Sequence, residues 1–138
     1  MTDPESAEIM IDTFLQLCED RQLDEASTYL AADVDIIFPG DRRYAGLHDM
    51  AAASKGRYAW VRKNRIRYFV AEHTNANGDR EQVVTSIGTL FGENNDGTAF
   101  ADVRYVDIFT IRNDLIVRQE VWNDLAENGI IHVTSEGK

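Results

Sequence analysis

The second half of this chain restricts its fold most. It reads as four strand-like segments with turn signals between them and no helical pattern interrupting. Arg65 to Thr74 runs into Asn77-Gly78, Glu81 to Phe91 into the stretch from Asn94 to Gly97, and Phe100 to Arg112 into Asn113-Asp114. Leu115 to Leu125 follows. Asn-Gly favours the positive φ angles of a tight hairpin turn, so successive segments should pair antiparallel as a meander. Gly88, inside the second segment, predicts a bulge or bend of the kind a strongly curved sheet requires. One face of such a sheet must be covered, and the remaining chain has to supply the cover.

That cover is helical. Asp3-Pro4 reads as an N-cap with proline at the first helical position. Met10, Phe14 and Leu17, beside Ile11, Leu15 and Cys18, form a broad apolar stripe on a helix ending near Asp20. A shorter helix carries Leu23, Ala26 and Leu30. Val34, Ile36 and Phe38 mark a strand stopped by Pro39-Gly40. A third helix is predicted after Gly46, with Leu47, Met50, Ser54, Tyr58 and Val61 on one face. It would end in a basic cluster (Lys55, Arg57, Arg62, Lys63, Arg65, Arg67), half of which would complement the helix dipole. The expected class is α+β, a cone-shaped curved antiparallel sheet with N-terminal helices packed across it, forming a single domain over residues 1–138. A cone of this kind encloses a cavity suited to a small molecule.

Composition narrows the function. The formal net charge of -10 over 138 residues argues against nucleic acid and anionic membrane surfaces as partners. No apolar run approaches the roughly 20 residues of a membrane span. The acidic start, Met1-Thr2-Asp3-Pro4-Glu5, lacks the apolar core of a signal peptide, so a cytoplasmic location is expected. The single cysteine, Cys18, excludes an intrachain disulfide and falls on the apolar stripe as a small core residue. His48, His73 and His132 have no ligand-pair spacing, and there is no glycine-rich phosphate loop or serine elbow. No metal or cofactor is expected.

Register decides which side chains meet the cavity. Two-residue turns at Asn77-Gly78 and Asn113-Asp114 place Tyr68 opposite Ile87, Val106 opposite Val121 and Arg104 opposite Asn123. The simplest closure of the middle turn sets Ile87 near Arg104. The face predicted to point inward then holds Ile66, Tyr68, Thr85, Ile87, Asp102, Arg104, Val106, Gln119, Val121 and Asn123. Phe69, His73, Val84, Ser86, Val103, Tyr105, Asp107, Phe109, Glu120, Trp122 and Asp124 would point outward, and their aromatic surface suggests a homodimer interface. A slip of one residue would instead bring Asp107, Glu120 and Asp124 inward as acids and Tyr105 and Trp122 as walls.

Asp102 and Arg104, neighbours at i, i+2, form the sharpest candidate pair. They would bind a carboxylate or steady an enolate, or else form a purely structural ion pair. Pairing with Arg104 would lower the pKa of Asp102 and weaken it as a base. Tyr68 and Asn123 are candidate hydrogen-bonding groups, and Tyr58 and Trp60 candidate roofing aromatics. Each also has an ordinary structural role open to it. His73 lies near a turn and reads as solvated.

Two stretches carry a resemblance. Tyr29-Leu30-Ala31-Ala32-Asp33-Val34-Asp35-Ile36-Ile37-Phe38-Pro39 resembles the entry from second helix to first strand in the nuclear transport factor 2-like superfamily, in its SnoaL-like and ketosteroid isomerase-like branch. Tyr105 to Val117, around Asn113-Asp114, resembles its last hairpin. The resemblance implies a pocket protein. It sets Phe14 where the isomerase has its oxyanion-holding tyrosine, Phe38 where it has its general-base aspartate, and Arg104 where it has its second oxyanion donor. A phenylalanine cannot move a proton, so isomerase chemistry of that type is not implied. Where SnoaL-like cyclases carry a last-strand aspartate, this chain offers Val121 and Asn123, with Asp124 pointing away. The expectation is a lyase, isomerase or cyclase for a small apolar carbonyl or carboxylate compound. Arg104 and Asp102 would do the chemistry, and Tyr68, Asn123, Phe14, Phe38, Tyr58 and Trp60 would hold the substrate. The alternative is a non-catalytic ligand-binding or dimeric accessory domain.

Overall fold

A computed structural model describes residues 3–130. The expectations about Met1-Thr2 and His132 lie outside the described residues. Helix α1 (Pro4–Glu19) starts where Asp3 accepts a hydrogen bond from the Ser6 amide at 2.8 Å, as a helix cap does. Then come α2 (Leu23–Ser27), β1 (Leu30–Phe38), β2 (Arg42–Tyr44), α3 (Leu47–Ser54), β3 (Trp60–Thr74), β4 (Arg80–Glu93), β5 (Ala99–Arg112) and β6 (Leu115–Asn123).

The six strands form one curved, unclosed sheet in the order β2-β1-β6-β5-β4-β3. The meander β3 to β6 is antiparallel throughout. β1 joins the free edge of β6 in parallel, with Ile36 beside Gln119, so the sheet is mixed rather than wholly antiparallel. The third helix is shorter than expected. It stops at Ser54, and Trp60 to Asn64, predicted as helix, extend β3 because β4 continues to Glu93 and offers them partners.

α1 lies on the concave face and buries Ala7, Ile11, Phe14 and Leu15. They pack with Val34, Ile36, Val84, Phe109, Ile111 and Ile116. Phe14 meets Phe109 edge-on, with ring centroids 5.8 Å apart. A second cluster of Leu90, Val103, Tyr105 and Leu125 holds Tyr58 and Val61 against it.

Three irregularities set which side chains face this core. The first hairpin closes through a three-residue loop. Asn75 and Asp79 pair across it, and Gly78 sits at φ +85°, which moves Tyr68 from Ile87 to Ser86. A bulge at Ile66, between the pairs Arg65–Gly88 and Arg67–Ile87, turns Lys63 and Arg65 to the same side as Tyr68. A second bulge, at Val117, separates Ile111–Ile116 from Thr110–Arg118. Arg112 does face Leu115 as expected, but beyond Val117 the partner of Val121 is Asp107, not Val106. The inward face therefore holds Val84, Ser86, Leu90, Val103, Tyr105, Asp107, Phe109, Gln119 and Val121, all buried. The expected faces of β4 and β5 are exchanged, while Tyr68, Gln119, Val121 and Asn123 keep the expected one.

Candidate functional site

Between the two apolar clusters lies a cavity of about 120 Å³, bordered by residues from α1, α3 and five of the six strands, β5 being the exception. An apolar cavity of roughly 150 Å³ suffices to hold a benzene ring. Its walls include Leu15, Phe38, Leu47, Met50, Tyr58 and Val121. Strands at opposite edges of the sheet reach it, β2 through Arg42 and β3 through Lys63, because the sheet curls around it.

Lys63 is the polar centre of the inner end. Its ammonium stands 3.6 Å from Asp107 Oδ2 and 5.3 Å from the centroid of the Tyr105 ring. Asp107 is fully buried, and neither of its carboxylate oxygens has a hydrogen-bond partner among the described residues. Burial pushes its carboxyl pKa above the ordinary value, with Lys63 pulling part of the way back. Burial also pulls the Lys63 ammonium down, but Asp107 and then Tyr105 outweigh it and hold the lysine above its usual value. Lys63 is therefore a protonated donor facing an apolar space. Gln119, also in the wall, is buried, and its carbonyl oxygen has no hydrogen-bond partner among the described residues. The Tyr105 and Ser86 hydroxyls, 2.9 Å apart, satisfy each other.

Two further groups in the wall are already committed. Glu19, the only carboxylate lining the cavity among the described residues, accepts from the Lys63 backbone amide and from Arg65 at 3.1 Å. Burial pushes the Cys18 thiol up to about 12, so it stays neutral and acts as a small apolar wall.

The expected site residues scatter. Phe38, Tyr58 and Asn123 line the cavity, and Asn123 Oδ1 accepts from the Leu125 amide at 3.1 Å. Phe14 is buried in the core behind the wall. Tyr68 points inward but donates its hydroxyl to Asp12 at 2.6 Å and is not part of the lining. Trp60 stacks edge-on against Phe91 outside the cavity, since strand alternation gives the inward places to Val61 and Lys63. Asp102 and Arg104 require correction, because the exchange of faces puts both on the exposed side. Asp102 occupies an irregularity of β5 at φ 60°, and Arg104, 83% exposed, pairs with Asp124 at 2.6 Å rather than with Asp102.

Lys63 is absent from the expected site because a helix end is expected there, and Asp107 is expected inward only under a one-residue slip of register, which the Val117 bulge supplies. A usable signal existed. Along β5 the set Val103, Tyr105, Phe109 and Ile111 buries more aromatic volume than Arg104, Val106, Ile108 and Thr110, and Asp107 falls in the first set.

No family model matches this chain, and no curated protein matches it. Solved structures do. An NTF2-like protein of unknown function from Burkholderia pseudomallei superposes at a TM-score of 0.74 with 16% identity, covering 91% of this chain and 97% of that one. TerC, co-crystallised with polyporic acid, gives 0.72 and 17%, covering 88% and 94%. A putative SnoaL-like polyketide cyclase from Shewanella putrefaciens gives 0.67 and 12%, covering 93% and 96%. With helices on the concave face of a mixed six-stranded sheet and these neighbours, the chain has the nuclear transport factor 2-like fold, shared with SnoaL-like and ketosteroid isomerase-like proteins.

Proposed function

We propose that the cavity binds a small, largely apolar carbonyl or carboxylate compound and that Lys63 donates to its oxygen. The observation that carries this reading is a lysine ammonium facing an apolar cavity and backed by a fully buried aspartate. A donor fixed in a low-dielectric wall stabilises negative charge developing on a carbonyl oxygen far better than water does, which suits isomerase, lyase or cyclase chemistry through an enolate. Asp107 lies behind Lys63 and acts through it as a positioning residue. Binding without turnover is the second reading, and the commitment of Glu19 favours it, since among the described residues no cavity-lining carboxylate stands free to take a proton. The TerC structure, which was co-crystallised with an acid by name, is consistent with either.

The test is a thermal-shift and calorimetric screen of acetophenone, 2-acetylnaphthalene, benzoate and 2-naphthoate against the wild type and Lys63→Gln. At a hundred times its dissociation constant a ligand adds about 2.7 kcal/mol of stability. Ketone binding that weakens about tenfold in Lys63→Gln, the loss of one charge-assisted hydrogen bond, is the expected result. No binding by any of the four compounds would remove the reading. Exchange of the ketones' α-protons with solvent deuterium, followed by NMR, separates turnover from binding alone.

We also propose a homodimer through the outer sheet face. Ile66, Phe69 and Trp122 are all more than half exposed there, and Trp122 is paired with Val106 and Val106 with Ile87. Sedimentation at micromolar concentration is expected to give a dimer that Trp122→Asp converts to monomer. A monomeric wild type would remove the proposal.

A further inference from the structure

We infer that Arg42 and Arg57, at the β2–α3 side of the cavity, form a subsite for an organic carboxylate. This rests on the cavity being a ligand site and narrows its ligand to an apolar acid. Among the described residues the lining holds four cations (Arg21, Arg42, Arg57 and Lys63) against one carboxylate, Glu19, which is already occupied. That is the reverse of the chain as a whole, whose 24 acidic residues outnumber 14 basic ones. Acids are plentiful, yet no ion pair reaches Arg42 or Arg57 among the described residues, whereas Arg43, next in sequence, is held by Asp35 at 2.7 Å and by Asp41.

Arg42 Nε is buried without a hydrogen-bond partner among the described residues, a cost that an anion seated on the guanidinium would offset. Burial, and then the charge of Arg57, both disfavour the charged form of Arg42, so the two guanidiniums are close enough to repel. Two guanidiniums lining one cavity that also has an apolar wall suit a planar carboxylate whose hydrocarbon body continues into the cavity. Phe38, Leu47 and Met50 supply that wall. A ligand that satisfies both ends would carry its acid group at the arginines and a second oxygen, a carbonyl, at the end facing Lys63; 2-naphthoate, with one polar group, reports on the arginine end alone. The sequence reading had placed Arg57 at a helix end, but α3 stops at Ser54 and the residue lies in the connection to β3.

The experiment compares 2-naphthoate with its uncharged partner 2-acetylnaphthalene by calorimetry on wild type, Arg42→Gln, Arg57→Gln and, as a charge-matched control outside the cavity, Arg104→Ala. Arg57 belongs to no helix or strand, so its variant tests the idea even if Arg42→Gln folds poorly. The expected result is wild-type preference for the acid, a loss of about tenfold or more in its affinity with either cavity arginine removed, and unchanged ketone binding. Arg104→Ala should bind as the wild type does. Equal or better binding of the ketone by the wild type, or acid affinity unchanged in Arg57→Gln, overturns the carboxylate subsite while leaving the cavity reading intact. Failure of both compounds to bind removes the cavity reading and this inference with it.

Discussion

Replacing Lys63 with methionine should cost about 3 kcal/mol of folding stability, because it strands a buried carboxylate. The Asp107 side chain is 1% exposed and Lys63 is its only ion-pair partner among the described residues. The figure sits at the low end for a broken buried pair because the Lys63 side chain itself is 23% exposed. Asp107→Leu together with Lys63→Met should recover most of the loss, since an apolar pair of similar volume fits a site of this kind at least as well as the ions do. Urea denaturation of both single variants and the double variant would measure the coupling. Purely additive losses would mean that the two side chains do not interact.

The pH dependence has a definite sign. Burial raises the Asp107 carboxyl above its ordinary 3.8, so the folded state holds that proton more tightly than the unfolded chain. The associated stability is complete below the ordinary value and is lost as pH rises through the raised folded value. Lys63→Met removes the charge that pulls this value back down. Its deficit should therefore shrink as pH is lowered from neutrality towards the ordinary carboxylate range, and a deficit that stays flat would contradict the charged assignment. Since an apolar pair would serve the fold equally well, the placement of the ions beside a cavity fits a role in ligand binding better than one in stability.

The second large effect is expected at Gly88. A Cβ there would overlap the Asn64 carbonyl oxygen and come within 2.9 Å of Tyr105 Cε2. The first obstacle is backbone in a paired strand, which cannot swing aside as a side chain can. Gly88→Ala should cost about 3 kcal/mol, at the upper end for overpacking. Gly56→Ala is the control, since it meets nothing within 4 Å and its φ is not in the positive range. Gly88 faces Arg65 next to the Ile66 bulge, so the substitution should also displace Lys63 and weaken ligand binding. Equal stability of the two alanine variants in chemical denaturation would show that the strands do not cross closely there.

Gly88 also shows how much was legible beforehand. A lone glycine in a strand pattern predicts a bulge or bend; the one-residue bulge lies across from it on β3, at Ile66, while Gly88 itself stays in register with β5. The order of helices and strands, the Asp3 cap, the Arg112–Leu115 hairpin closure and the inward face of β6 follow from local turn chemistry and apolar spacing, which act over a few residues. The roster of the site does not follow from them. It depends on parity, and one inserted residue reverses parity for everything beyond it.

A three-residue loop at Ala76–Gly78 and a bulge at Val117 set Asp107 inward and Arg104 outward, and a bulge at Ile66 turned Lys63 inward. None of these has a strong sequence mark, because a bulge is selected by the curvature of the whole sheet and by the closeness of crossing strands. The sequence by itself determined that helices would cover a curved meander around a space. The tertiary structure decided that Lys63, from one edge of the sheet, and Arg42, from the other, would face the same space. Only the curl of a six-stranded sheet brings those edges together, and it arises from strand pairings between residues far apart in the chain.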